Sequence, residues 1–235
     1  MRAMSPLSYT LEGSTAVLRM DDGKANALSD QMITALLESI ERAGKEASAV
    51  VLTGRPDRFC AGFDLKVMTA GPEGVKKLFL RGADLLVKLF GLPMPLVIAC
   101  TGHALAGGAQ LLLTADVRIG AVGPYRIGLN ETTIGMPLPV LGVEFARARL
   151  APTELSRATL GAKIYTPEEA VKAGYLDEAA PAVEVLTRAL AEAEKLGALS
   201  RQAYAATKDR LRGATLTQVT ATLESDMTRL LSLFG

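Results

Sequence analysis

From Leu89 to Ala115 the chain carries no charged side chain if His103 is neutral, a run longer than the roughly 20 residues with which a helix crosses a bilayer. The contents of the run exclude that helix. Pro93 and Pro95 stand close together, and Gly102, Gly107 and Gly108 follow; in lipid they would leave backbone groups unpaired. The run is therefore read as a buried strand over 96–100, a glycine loop, and the start of an Ala/Leu helix. Glycines let the backbone approach a ligand closely, and the first amides of a helix lack an intrahelical acceptor and can donate to an anion. The alternative is that Gly107 and Gly108 only permit close helix-to-strand packing.

Two further stretches extend the pattern. Phe59-Cys60-Ala61-Gly62-Phe63-Asp64-Leu65 follows the apolar strand run 49–53 and the turn signal Gly54-Arg55-Pro56-Asp57, and Ile127-Gly128-Leu129-Asn130-Glu131-Thr132-Thr133-Ile134-Gly135 follows the strand run 117–121. Together with Gly102-His103-Ala104-Leu105-Ala106-Gly107-Gly108, these motifs resemble, in order, those of the crotonase (enoyl-CoA hydratase/isomerase) superfamily. The first is like its F-x-A-G-x-D-L motif, the second like G-x-A-x-G-G, and the third like its carboxylate-bearing segment. The resemblance runs from about Ala16 to the helical C-terminus and is specific because three motifs occur jointly. It implies an α/β fold with a repeated ββα spiral core over 1–180 and a C-terminal helical region over 181–235 used in trimerisation.

Along the chain, Ser8–Leu11 and Thr15–Met20 flank Gly13-Ser14 as a hairpin or two edge strands. Leu28, Met32, Ile33, Leu36, Leu37 and Ile40 recur at helical spacing, with Ser29 or Asp30 as cap and Gly44 as stop. A largely buried helix is expected over 75–90. Residues 138–150 and 151–160 read as helical, with Pro152 in a first turn. Thr166-Pro167-Glu168-Glu169 is a capping box opening a helix that ends near Gly174, and 183–234 is helical with interruptions at Gly197 and Gly213. The segment 170–178 also resembles the family's A-x-x-x-G-[LIY]-[VI]-D. The apolar tail argues for packing on neighbouring subunits, a homotrimer or hexamer by resemblance.

Charge narrows the partners. With 26 basic against 25 acidic residues and a net charge of +1, nothing points to nucleic acid. Cys60 and Cys100 sit in apolar strand-end contexts and read as buried free thiols of a reducing compartment. No signal-like segment opens the chain, so a cytoplasmic location with no membrane association is expected. No Cys/His/carboxylate cluster has metal spacing.

The resemblance assigns chemistry. Proton removal beside a thioester carbonyl puts charge on its oxygen, and two backbone amides, by resemblance those of Ala61 and Gly107, would stabilise the enolate. Ala61, Gly62, Phe63, Asp64, Gly107 and Gln110 would hold the acyl-CoA substrate; coenzyme A belongs to that substrate, and no separate cofactor is expected. Asp64 reads equally as a loop-to-helix cap. Family hydratases use two glutamates, at the positions of Gln110 and Glu131. Here one carboxylate remains, and a glutamine side chain does not exchange a proton near neutral pH. Segment 128–135 is similar to that of the Δ3-Δ2-enoyl-CoA isomerases, which implies Glu131 as the lone proton shuttle, its basicity raised by Leu129, Ile134 and Met136. The alternative for Glu131 is a carboxylate placed on a helix dipole.

Several residues keep two readings. Phe79, Phe90 and Met68 are acyl-pocket or core positions. Lys66, Lys76, Lys77 and Lys208 are solvated or meet CoA phosphates. His103 is expected to be packed and hydrogen-bonded rather than catalytic. The competing functions are hydration or thioester hydrolysis on the same scaffold, and a silent subunit that binds acyl-CoA or a protein partner.

Overall fold

The computed structural model describes residues 5–64, 67 and 71–233; Leu65, Lys66 and Met68 lie outside them. Leu7–Glu12 (β1) and Thr15–Met20 (β2) pair antiparallel. Gly13 turns between them at φ +59°. Asp30–Glu46 (α1) starts at Ser29, whose hydroxyl accepts the Met32 amide at 3.2 Å. It runs through Gly44 rather than stopping there, because Ile40 and Ala43 keep this end docked and a helical glycine costs only about 1 kcal/mol.

Three units then repeat one path. Ala49–Thr53 (β3) joins β2 in parallel, and Asp57–Cys60 (β4) leaves for a second sheet before Pro72–Phe90 (α2). Leu96–Cys100 (β5) and Gly102–Leu105 (β6) do the same ahead of Gly107–Thr114 (α3). Val117–Ala121 (β7) and Ile127–Gly128 (β8) lead to the 3-10 turn Glu131–Ile134 and to Val140–Arg149 (α4). Leu155–Thr159 (α5), Pro167–Ala173 (α6) and Glu178–Ala180 (β9) follow. The larger sheet has the order β1-β2-β3-β5-β7-β9, the smaller β4-β6-β8. This is the repeated ββα core. Strands β4 and β6 occupy stretches that the sequence presents as parts of glycine loops; four residues each are too few to display an alternation.

Every residue of β3 and β5 is buried, as expected of parallel strands covered on both faces. Val50, Leu52, Leu96 and Ile98 face α1, α2 and α3, whereas Ala49, Val51, Val97 and Ala99 face Val185–Gly197 (α7). The smaller side chains on the α7 face let that helix approach. The charge-free run thus divides into the end of α2, β5, β6 and α3, and no helix among the described residues is long and apolar enough to cross a membrane. Cys60 and Cys100 are buried free thiols whose pKa burial pushes up to about 12.

Other boundaries differ from expectation. Pro152 lies in the turn between α4 and α5, not in a first helical turn, and Pro139 precedes α4. The capping box at Thr166 forms in full, and Gly174 ends α6 at φ +91°. Arg201–Ser232 (α8) passes through Gly213 without a break.

Lys208 and Arg212 anchor α8. Both are buried, so Lys208 is neither solvated nor placed to meet a phosphate. Lys208 Nζ donates to Asp116 Oδ2 at 2.6 Å and to the Met94 carbonyl at 2.8 Å. Arg212 pairs with Asp116 Oδ1 at 2.8 Å and caps the Phe90 and Thr114 carbonyls. Asp116 also accepts the Leu96 amide, so one carboxylate joins α8, β5 and β7. Its removal leaves two buried cations uncompensated. Asp116→Ala is expected to lower stability in urea denaturation by about 3–5 kcal/mol, far more than Asp209→Ala on the exposed face of the same helix.

Candidate active site

Where the β4 loop, the N-terminus of α3 and the 3-10 turn meet, a cavity of about 220 Å³ opens, lined among the described residues by Ala61, Phe63, Gly107, Gln110 and Glu131 with Phe79, Leu105, Ala106, Asn130, Ile134, Met136 and Pro139. The two glycines of α3 do different work. A methyl at Gly108 would collide with the Cys60 carbonyl, so this glycine lets the helix seat against β4. A methyl at Gly107 would stand 3.1 Å from the Phe63 ring, on the cavity side. Ala106 turns the chain from β6 into α3 at φ +49°, ψ −121°, a sparsely populated conformation costing about 1–3 kcal/mol. That strain lies directly before the Gly107 amide.

The expected pair of amide donors needs one correction. The Ala61 N–H donates to the Ala25 carbonyl at 3.1 Å, so it is already committed although Ala61 lines the cavity. The Gly62 amide meets the Cys60 sulfur. Among the described residues the Phe63 and Gly107 amides have no acceptor. Sequence reasoning missed Asn26, which sets this arrangement: fully buried at φ +53°, it donates from Nδ2 to the Met20, Arg58 and Phe59 carbonyls and holds the loop bearing Ala25 against β4. A lone Asn in a polar loop carries no signal of this. Gly62 packs beside the Gly107 amide, and Asp64 is half-buried; neither is among the described residues that line the cavity.

Gln110 and Glu131 meet. Gln110 Nε2 donates to Glu131 Oε1 at 2.7 Å in a buried contact. Glu131 is 6% exposed, and its Oε2 is buried with no hydrogen-bond partner among the described residues. Burial raises the pKa of this carboxyl, with its own backbone amide and Gln110 opposing the rise. Leu129 is buried and Met136 half-buried, as the expected desolvation requires, whereas Ile134 sits at the rim, 54% exposed. Asn130 Oδ1, beside Glu131, is a further buried polar atom without a partner among the described residues, and the buried Tyr175 hydroxyl lies near the Leu129 backbone and Glu131; neither residue was singled out in the sequence.

The remaining candidates fall elsewhere. Phe79 lines the cavity and packs on Phe63 at 4.7 Å between ring centroids. Phe90 does not line it; it stacks on Phe145 at 4.3 Å beneath the Arg212 guanidinium. Lys76 and Lys77 are exposed on α2. His103 Nδ1 accepts the Arg126 amide at 3.0 Å and its ring meets Tyr125 edge-on, the packed histidine expected.

The family model described as Enoyl-CoA hydratase/isomerase matches residues 10–234. The human mitochondrial enoyl-CoA delta isomerase 1 is 30% identical over 94% of this chain and 74% of its own length. Enoyl-CoA hydratase EchA19 of Mycobacterium tuberculosis is 30% identical over 79% of this chain and 72% of its own. The crystal structure of human mitochondrial delta3-delta2-enoyl-CoA isomerase superposes with a TM-score of 0.93 at 28% identity, covering 97% of this chain and 91% of the other. Relatives of both names thus occur at similar identity.

Burial makes ionised Glu131 costlier in the folded chain than in the unfolded one. Its contribution to stability is therefore present while the carboxyl is protonated and lost as pH rises through its elevated folded pKa. Glu131→Gln keeps an acceptor for Gln110 and removes that loss. Urea denaturation is expected to give equal stabilities at about pH 4 and a more stable variant at about pH 8.

Proposed function

Because the chain belongs to the enoyl-CoA hydratase/isomerase family, we propose that it shifts the double bond of a 3-enoyl-CoA to the 2-trans position, with Glu131 as the single proton shuttle. One observation carries the reading. Glu131 is the only titratable side chain among the described residues lining the cavity, and it presents one oxygen held by Gln110 and one without a partner.

The thioester carbonyl oxygen sits between the Phe63 and Gly107 amides, which replace the Ala61–Gly107 pair of the family resemblance because the Ala61 amide is taken. Each such donor contributes roughly 3–4 kcal/mol to an oxyanion. Glu131 takes a proton from C2, and the C–H electron pair moves into the enolate, whose charge rests on the thioester oxygen. Collapse of the enolate forms the C2–C3 double bond while the former C3–C4 pair takes the proton back from Glu131 at C4. No atom is gained or lost. A carboxyl with a raised pKa suits both halves of this exchange. The neutral Gln110 orients Glu131 and offers no second proton carrier, which disfavours the hydratase reading that one group of relatives suggests. The exposed apolar side chains Leu160, Val183 and Leu211 fit assembly into a homotrimer or hexamer.

The test pairs 3-hexenoyl-CoA with crotonyl-CoA. The native chain is expected to isomerise the first and scarcely hydrate the second. Glu131→Gln is expected to lose activity about 10²- to 10⁴-fold, and the native kcat/KM to rise through a pKa above the usual carboxylate range. Brisk hydration of crotonyl-CoA overturns the reading.

A further inference from the structure

Against the cavity that holds Glu131 lies a second, much smaller one of about 20 Å³. The two share Phe63, Phe79, Gln110 and Pro139 as walls, so they adjoin, the smaller one being the rear space for a chain that enters from the Glu131 side. The Phe63 and Phe79 rings, tilted 48° at 4.7 Å, form the partition between them. Phe79 is not free to turn aside. From behind it packs in one apolar cluster with Val75 of its own helix and with Met227 and Leu230 of α8. The rear space holds about one water-sized group, and its wall is not wholly apolar. Asp226 of α8 lines it, fixed there by accepting the Val140 amide at 2.7 Å with Oδ2.

We propose that this chain selects short acyl chains, that the Phe63–Phe79 ring pair held by α8 is the stop, and that the Asp226 carboxylate behind the stop keeps the rear space unfavourable for hydrocarbon. The inference rests on the acyl-CoA reading of the front cavity. A chain of fatty-acid length entering this channel must push Phe79 into Met227 and Leu230 and then lay methylenes against a carboxylate anchored on the α4 N-terminus. Each step costs free energy that a short chain avoids. The selectivity is thus built from the C-terminal helix as much as from the residues around Glu131.

Saturated acyl-CoA esters test it by binding alone, without turnover. In an open channel, affinity rises steeply with chain length, since every buried methylene adds to it. Titration calorimetry of the native chain with butanoyl-, hexanoyl- and dodecanoyl-CoA is expected to show tightening up to hexanoyl and none beyond. Phe79→Ala is expected to raise the ratio of dodecanoyl-CoA to butanoyl-CoA affinity at least tenfold. Met227→Ala, which removes the support behind the ring from another helix, is expected to shift affinity the same way and guards against a folding defect in the first variant. Native affinity that climbs from hexanoyl to dodecanoyl overturns the proposal and leaves the acyl-CoA reading standing. Binding of no ester at any length overturns both.

Discussion

The N-terminus of α3 reaches the backbone of β4 because position 108 has no side chain. Everything in the site depends on that close approach. It brings the Gly107 amide beside the loop that follows β4, where Asn26 and the Ala25 carbonyl fix Ala61 and leave the Phe63 amide without an acceptor among the described residues. The strained Ala106 turn lies directly ahead of Gly107 and is held by the pairing of β6 with β4 and β8. Two amides without acceptors at the edge of a cavity are costly in a folded chain. They are tolerated where charge is to be met.

The same economy governs the carboxylate. Glu131 is buried with one oxygen bonded and, among the described residues, one without a partner, an arrangement that lowers stability at neutral pH and raises basicity at once. Gln110 supplies orientation through a neutral amide. A second glutamate in its place would bring another negative charge into a site that burial already disfavours for one. The single-carboxylate cavity is therefore consistent with moving a proton between two carbons of one substrate, a task that needs one group able to reach both.

Much of this was legible in the sequence. The uncharged run broken by Pro93, Pro95 and the glycines gave β5 and α3, and the three ordered motifs gave the core and named Gln110 and Glu131 as positions of one site, though not the hydrogen bond between them. What stayed hidden has physical causes. The short strands β4, β6 and β9 are too brief for a periodic signal and exist through pairing with distant segments. Gly44 and Gly213 look like helix stops, but docking outweighs their propensity. Lys208 resembles a surface lysine until Asp116, remote in sequence, is placed against it. The choice between the Ala61 and Phe63 amides depends on which carbonyls lie nearby, and that is set by Asn26 on another loop. Phe79 and Phe90 share a helix and a residue type, yet one faces the cavity and the other the core.

The central claim is that one carboxylate carries the proton from C2 to C4 without adding water. It is tested most directly with 3-hexenoyl-CoA bearing deuterium at both C2 positions, converted in ordinary water in a single turnover, with the product read by NMR. The account predicts deuterium at C4 of the 2-enoyl product, carried there by Glu131 before exchange with solvent. A product whose C4 has gained only hydrogen from solvent, or one that has gained a hydroxyl group, would contradict it.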